Sequence, residues 1–283
     1  MIEIFLAIIA LIWLVFASIS DIKSHEVPDW LSYSLIIIGF GNALFNSIIL
    51  NNIKFLFYSI FAFSLFFLVS ALMYYTKQWG GGDVKLLIGI ATLFPVYPIE
   101  LLDYFNPNLN LPFIVILILN LIIFGALYSI IYSIYLLIKN KINFLKELKN
   151  YKFNKIYLFI PLIFIIISIL IQDILFKLML LSLGVIILVT PLILIYTKVI
   201  EKKCMFRKIS VNKLTEGDWI TNNIYHGKKL IYNKNSPGVA KEQISIIKKL
   251  RIKYLIIKEG IPFIPAFLLS FIFSIIFGNI FPF

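Results

Sequence analysis

Long apolar blocks alternate with short polar breaks along the whole chain, and their length predicts helices, not strands. The blocks cover about 2–20, 31–49, 53–75, 84–97, 111–138, 157–171, 174–200 and 261–281. The block over 84–97 is short for a full span and is interrupted by Pro95 and Pro98. Pro28 disfavours helix at Val27, and Asp29 is placed to cap the second helix. Asn51-Asn52 makes a tight turn. Strand alternation in segments of about ten residues, the sign of a membrane β-barrel, is absent. The pattern predicts an all-α polytopic membrane protein with about eight transmembrane helices. Residues 201–260 break it, with short strands at Lys229–Tyr232 and Tyr254–Ile257 and an amphipathic helix over Val239–Leu250. They predict a small cytoplasmic α/β element before the last helix.

Composition agrees: 61% of the 283 residues are hydrophobic and the mean hydropathy is +0.97, against about 45–50% apolar in soluble domains. The formal charge of +12 is concentrated in 139–155, with six lysines and one glutamate, and 201–260, with 14 Lys or Arg and 5 Asp or Glu. In such a chain, basic stretches indicate cytoplasmic loops facing a lipid bilayer, not a nucleic-acid partner. Cys204 is the single cysteine, so neither a disulfide framework nor a Cys-x-x-Cys zinc site is expected. Residues 1–20 lack a basic leading segment and a small-residue cleavage site, and are read as a retained first helix.

These features divide the chain into a transmembrane core (1–138), a basic cytoplasmic loop (139–155), an additional hairpin (156–200), a basic cytoplasmic element (201–260) and a last transmembrane helix (261–283). Counting spans back from the basic loops places 21–30 and 76–83 on the cytoplasmic side and both termini outside.

That count puts two acids on one face: Asp21, ending the first helix, and Asp83, after Gly80, Gly81 and Gly82. Acids at a membrane boundary are expensive and point to function. Two carboxyls held close share a proton, the requirement for aspartic proteolysis, in which one activates water and the other protonates the scissile carbonyl. The glycines permit positive φ and close approach of a substrate backbone, which could pair there as an added strand. A helix start favours the charged form of Asp83, although a coupled pair has no fixed owner of its proton. Lys85 either stabilises an ionised Asp83 or reaches for the interface.

Gly80-Gly81-Gly82-Asp83-Val84-Lys85 resembles the Gly-x-Gly-Asp motif of membrane aspartyl proteases. With Asp21 upstream and a short polar loop after it, residues 1–138 resemble an archaeal prepilin or preflagellin peptidase. Leu214-Thr215-Glu216-Gly217-Asp218, Lys241-Glu242-Gln243 and the Glu259–Phe267 stretch resemble the C-terminal region of archaeal members. The resemblance implies a six-helix core, Asp21 and Asp83 as the catalytic pair, and no cofactor or metal. It also implies pilin-like or archaellin precursors as protein substrates, cut on the cytoplasmic side to remove a short basic leader. Without a cysteine-rich loop, no methyltransferase activity is expected.

Blander readings stand beside these. Asp83 could be a helix cap, Asp21 a solvated loop acid, and His25 a surface residue. Glu26 and Asp29 are either contacts for a basic leader or plain loop acids. His226 has no partner at ligand spacing. Two other functions remain open: a presenilin- or signal-peptide-peptidase-like protease, whose upstream Tyr-Asp motif is missing here, and a proton-coupled transporter, which would favour acids in mid-helix.

Overall fold

The computed structural model describes residues 1–148, 156–250 and 252–281. The chain divides into two compact units, one formed by 1–132 with 208–283 and the other by 133–207.

In the first unit, α1 (Ile2–Ser24), α2 (Asp29–Ile49), α3 (Lys54–Tyr75) and α4 (Gly81–Leu93) follow one another, and α5 (Phe113–Lys139) continues into the second unit. α10 (Ile264–Ile276) closes the first unit. Its core is built from Leu14, Leu35, Phe66, Leu86, Ile116 and Phe271, all buried. α4 is wedged between α2 and α3, and glycine allows it. A side chain on Gly39 would stand 2.9 Å from the backbone of Thr92 and Leu93, and one on Gly89 would stand 2.9 Å from Leu35 Cβ. Small residues let helices approach where lipid offers no hydrophobic drive. Polar ties add to this: Ser59 donates to the Thr92 carbonyl at 2.9 Å, and the Trp13 indole donates to Ser34 at 2.8 Å.

α1 and α4 differ from expectation where it matters. α1 runs through Ser24, so Asp21 lies in its last turn and not in a loop. The helix ends at His25, whose left-handed backbone (φ 55°) turns its amide onto the Asp21 carbonyl at 2.8 Å. α4 begins within the glycine run and stops at Leu93, because Phe94 precedes Pro95 and is steered out of the helical region. Asp29 does not cap α2; it is the helix's first residue and makes no capping bond.

The ends of the first unit are sorted. At one end the Glu100 carboxylate accepts the amides of Glu3 and Ile4 at 3.0 and 3.2 Å, while Glu3 accepts the Glu100 amide at 3.0 Å. There too Asn108 bonds the backbone of Phe277 and Asn279 at 2.9 and 2.8 Å. The opposite end gathers Asp21, Val27, Gly82 and Ile264.

The extramembrane part of this unit has its own core of Val211, Leu214, Ile220, Tyr232, Val239 and Ile247. β1 (Phe206–Ser210), β5 (Tyr254–Lys258) and β2 (Trp219–Ile220) form a sheet in the order β1–β5–β2, with β2 antiparallel to β5. β3 (Ile224–His226) and β4 (Lys229–Tyr232) form a hairpin, and α9 (Lys241–Lys249) covers the core. The α/β character is as expected; β1, β2 and β3 were not anticipated, being short and masked by charge. The Asp218 carboxylate closes a turn by accepting the Thr215 amide at 2.8 Å, and Gln243 caps α9 by accepting the Ala240 amide at 2.9 Å. Both motifs are structural here.

In the second unit, α6 (Phe144–Leu148) precedes an apolar hairpin of α7 (Ile156–Leu170) and α8 (Ile174–Ile200). Asp173 caps α8, accepting the amides of Leu175 and Phe176 at 2.9 and 3.0 Å. Residues 149–155 of the 139–155 loop lie outside the described residues.

Among the described residues, five helices are long and apolar enough to cross a membrane: α1, α2, α3, α5 and α8 with its extension to Met205. With the shorter apolar α7 and α10, this is a polytopic helical membrane protein. Gly39→Ala should destabilise the detergent-solubilised chain by about 1–3 kcal/mol through overpacking. Gly41→Ala, which meets no atom within 4 Å, should leave the melting temperature unchanged; equal effects would refute the wedge.

Candidate active site

Asp21 is 5% exposed, on the inner face of the last turn of α1. A carboxylate buried this far requires hydrogen-bond donors. Its Oδ2 accepts the backbone amide of Ile264, the first residue of α10, at 3.0 Å, with the Phe263 backbone beside it. Asp83, half-buried, is the third residue of α4, and its Oδ2 accepts the Gly80 amide at 2.8 Å. Asp83 therefore lies in the first turn of its own helix, whereas Asp21 ends α1 and turns its carboxyl onto the N-terminus of α10; both N-termini favour negative charge. The two carboxyls lie within electrostatic reach of each other.

The glycine run acts differently from expectation. None of its three residues has positive φ; Gly80 is extended at φ −75° and ψ 166°. Gly82 is a packing glycine, because a Cβ there would stand 2.9 Å from Val27 Cβ. It lets the start of α4 press against the loop that follows Asp21. Gly81 is exposed, and a Cβ there would meet nothing closer than Tyr74 at 3.9 Å. Open approach to the backbone is thus confined to this edge of the run.

Lys85 turns away from Asp83. Its ammonium bonds Asp29 at 2.6 Å and sits 5.5 Å from the Tyr33 ring centroid. This pairing occupies Asp29, while Glu26 remains exposed. His25 Nε2 lies 3.8 Å from Glu259 in the extramembrane element, and Lys77, just before the glycines, donates to the Lys234 carbonyl at 3.2 Å. The element therefore contacts both acid-bearing segments. Burial holds the Asp218 carboxyl above its ordinary value; the Thr215 hydrogen bonds pull it down, and the charges of Glu26 and Glu259 raise it further.

Sequence reasoning missed three contributors. Trp79 packs against Phe263 and Phe267, with ring centroids 5.9 and 5.7 Å apart. Tyr128 of α5 lies within electrostatic reach of Asp21. The start of α10 supplies the Asp21 donor, and its signal was present in Ile261-Pro262-Phe263-Ile264-Pro265. Two prolines without N–H leave the amides of Phe263 and Ile264 as the free donors between them. Among the described residues, no three His, Cys, Asp or Glu side chains gather to hold a metal ion.

Residues 8–130 match the model of the Type IV leader peptidase family. The chain is 31% identical over 145 residues to the preflagellin peptidase of Methanococcus voltae, covering 50% of this chain and 62% of that protein. It is 29% identical over 136 residues to the preflagellin peptidase of Methanococcus maripaludis, covering 48% and 59%. It is 27% identical over 207 residues to the prepilin peptidase EppA of Methanothermobacter thermautotrophicus, covering 68% and 52%. The match thus spans only about half to three fifths of these relatives' own lengths. No solved structure matches. The resemblance first carried by the Gly-x-Gly-Asp motif is borne out, and the matched stretch contains both acids.

Gly82→Ala should lower the melting temperature, by a cost of about 1–3 kcal/mol, while Gly81→Ala should not. Adding Val27→Gly to Gly82→Ala should recover part of the loss. A Gly82→Ala protein as stable as the parent would remove Gly82 from the packing argument.

Proposed function

We propose that this chain is a membrane aspartyl endopeptidase that removes the short leader from pilin-like or archaellin precursors. Asp21 and Asp83 are its catalytic pair. The observation that supports the reading is that both acids lie at one end of the first unit, within electrostatic reach of each other, Asp21 held by the first amide of α10 and Asp83 by the Gly80 amide at the start of α4. The family match over 8–130 and the names of the relatives support it.

The chemistry follows from a pair carrying one proton. The ionised carboxylate takes a proton from water as the oxygen attacks the scissile carbonyl carbon. The protonated carboxyl gives its proton to the carbonyl oxygen, producing a tetrahedral diol. The carboxyl that took the water proton gives it to the amide nitrogen while a diol hydroxyl passes its own proton to the other carboxylate, and the C–N bond breaks, releasing the leader's new carboxyl terminus and the substrate's new amine. The pair ends with one proton and is ready to repeat. Gly81 forms the open edge along which the substrate backbone lies, and Lys85 ties the start of α4 to the start of α2 through Asp29.

The lysine-rich element after α8 supports a cytoplasmic setting for this end of the unit by the positive-inside rule. Glu26, sharing its field with Asp218 and Glu259, is the better-placed contact for a basic leader now that Asp29 is paired.

The test is cleavage of a pilin-like precursor with a basic leader by the full chain in membranes. Asp21→Asn and Asp83→Asn should each abolish cleavage while keeping the fold, since Asn still accepts a backbone N–H. Asp173→Asn, which alters only the cap of α8, should cleave normally. Full activity in either of the first two variants would overturn the assignment. The pH–rate profile should be bell-shaped, falling where both acids are ionised and where both are protonated. Glu26→Lys should raise KM for a lysine-rich leader and spare a neutral one; equal effects on both would remove Glu26 from leader binding.

A further inference from the structure

We propose that the start of α10 is a positioning element for Asp21, held in register by Phe263 wedged between Trp79 and Gly125. The inference rests on the catalytic reading of Asp21 and adds a part of the chain outside the stretch matched to the family.

α10 has no cap of its own. Its N-cap residue is Phe263, which offers no side-chain acceptor, and Pro265 follows at the second position. Helices ordinarily take a cap from a local Ser, Thr, Asp or Asn. Here the acceptor is Asp21, 243 residues away in sequence and buried. A plain cap could be supplied far more cheaply by a neutral Ser at the helix start than by a buried acid. The bond therefore serves the acid as much as the helix: it fixes Oδ2 of Asp21 and leaves the orientation of the carboxyl set by the backbone of α10.

The amide can act only if its own position is fixed, and the Phe263 ring does this. It lies 5.9 Å from Trp79 and 5.6 Å from Phe267 by centroids. On α5, a Cβ on buried Gly125 would stand 2.5 Å from Phe263 Cζ. The ring has neighbours on each of these sides, so a push from α5 is passed to the backbone at Phe263 and Ile264. Trp79 immediately precedes Gly80, whose amide holds Asp83. A single ring thus couples the backbone donors of both acids.

The test uses the full chain in vesicles with a precursor bearing a basic leader. A second readout, independent of cleavage, is labelling of Asp21 by an apolar carbodiimide, which reacts with protonated carboxyls; Asp21→Asn identifies that label. Gly125→Ala should displace the ring, lower kcat by about tenfold or more with KM unchanged, and raise labelling of Asp21. Gly125→Ala combined with Phe263→Leu, which makes room for the new methyl, should restore both. Gly41→Ala, in open space, should change neither. If Gly125→Ala does not fold, Phe263→Leu alone supplies the same readouts with the same expected directions. The proposal is overturned if kcat and labelling do not move in the folded variant, if kcat falls with labelling unchanged, or if the double variant is no better than the single. Should the parent chain fail to cleave any precursor, the functional reading fails instead, and the labelling comparison alone decides the positioning.

Discussion

A charged group can be buried only if something answers its charge, and the bond from the Ile264 amide to Asp21 is where this chain meets that demand. The donor cannot come from α1, whose own amides are committed to its helix. It comes from the start of a helix whose first amides are unpaired by construction. Asp21 therefore requires α10 beside α1, and α10 requires the extramembrane element to return the chain to this end of the unit. Much of the topology after residue 200 can be read as the route that brings two backbone atoms to Asp21.

The same logic applies at Asp83 on a shorter scale. Its carboxylate holds the Gly80 amide, so the helix that carries the acid also fixes it. The start of α4 reaches the Asp21 side only because Gly82 carries no side chain against Val27. One acid is supported through space by a distant helix and the other locally by its own first turn. Trp79 against Phe263 links the two supports.

The helices and the two acids were legible because they depend on local rules: apolar length, proline stops, and acids out of place in an oily chain. The limits of α1 and α4 were less legible. α4 opens on two glycines, whose weak helix propensity argues for loop, and the Asp83 carboxylate caps the helix there by accepting the Gly80 amide. The glycines were read as conformational freedom, but at Gly82 the constraint is contact with a residue 55 positions away, which no local pattern encodes. Lys85 beside Asp83 in sequence suggested an ion pair; helical geometry instead directs it to Asp29 across the α2–α4 contact. Partners close in sequence were overvalued, and the decisive one, Ile264, lay 243 residues downstream.

The lengths of the two supporting helices fit this account. α4 and α10 each have 13 residues, or about 20 Å at 1.5 Å per residue, short of the roughly 30 Å of a hydrocarbon core. Neither is completed as a helix. α4 breaks at Phe94-Pro95 and α10 at Phe277, and their trailing segments are tied by Tyr97 donating to the Ile275 carbonyl at 2.9 Å and Asn120 donating to the Gly278 carbonyl at 2.8 Å. These ties satisfy backbone that would otherwise be costly in lipid. A helix of full spanning length would carry its first amides out to the headgroups, where water competes for them. A short helix can end its polar N-terminus below that level, where an amide and a carboxylate have few other partners. The first turns of the two short helices, α4 and α10, supply the backbone donors that hold the two acids, while the longer α1, α2, α3 and α5 provide the frame around them.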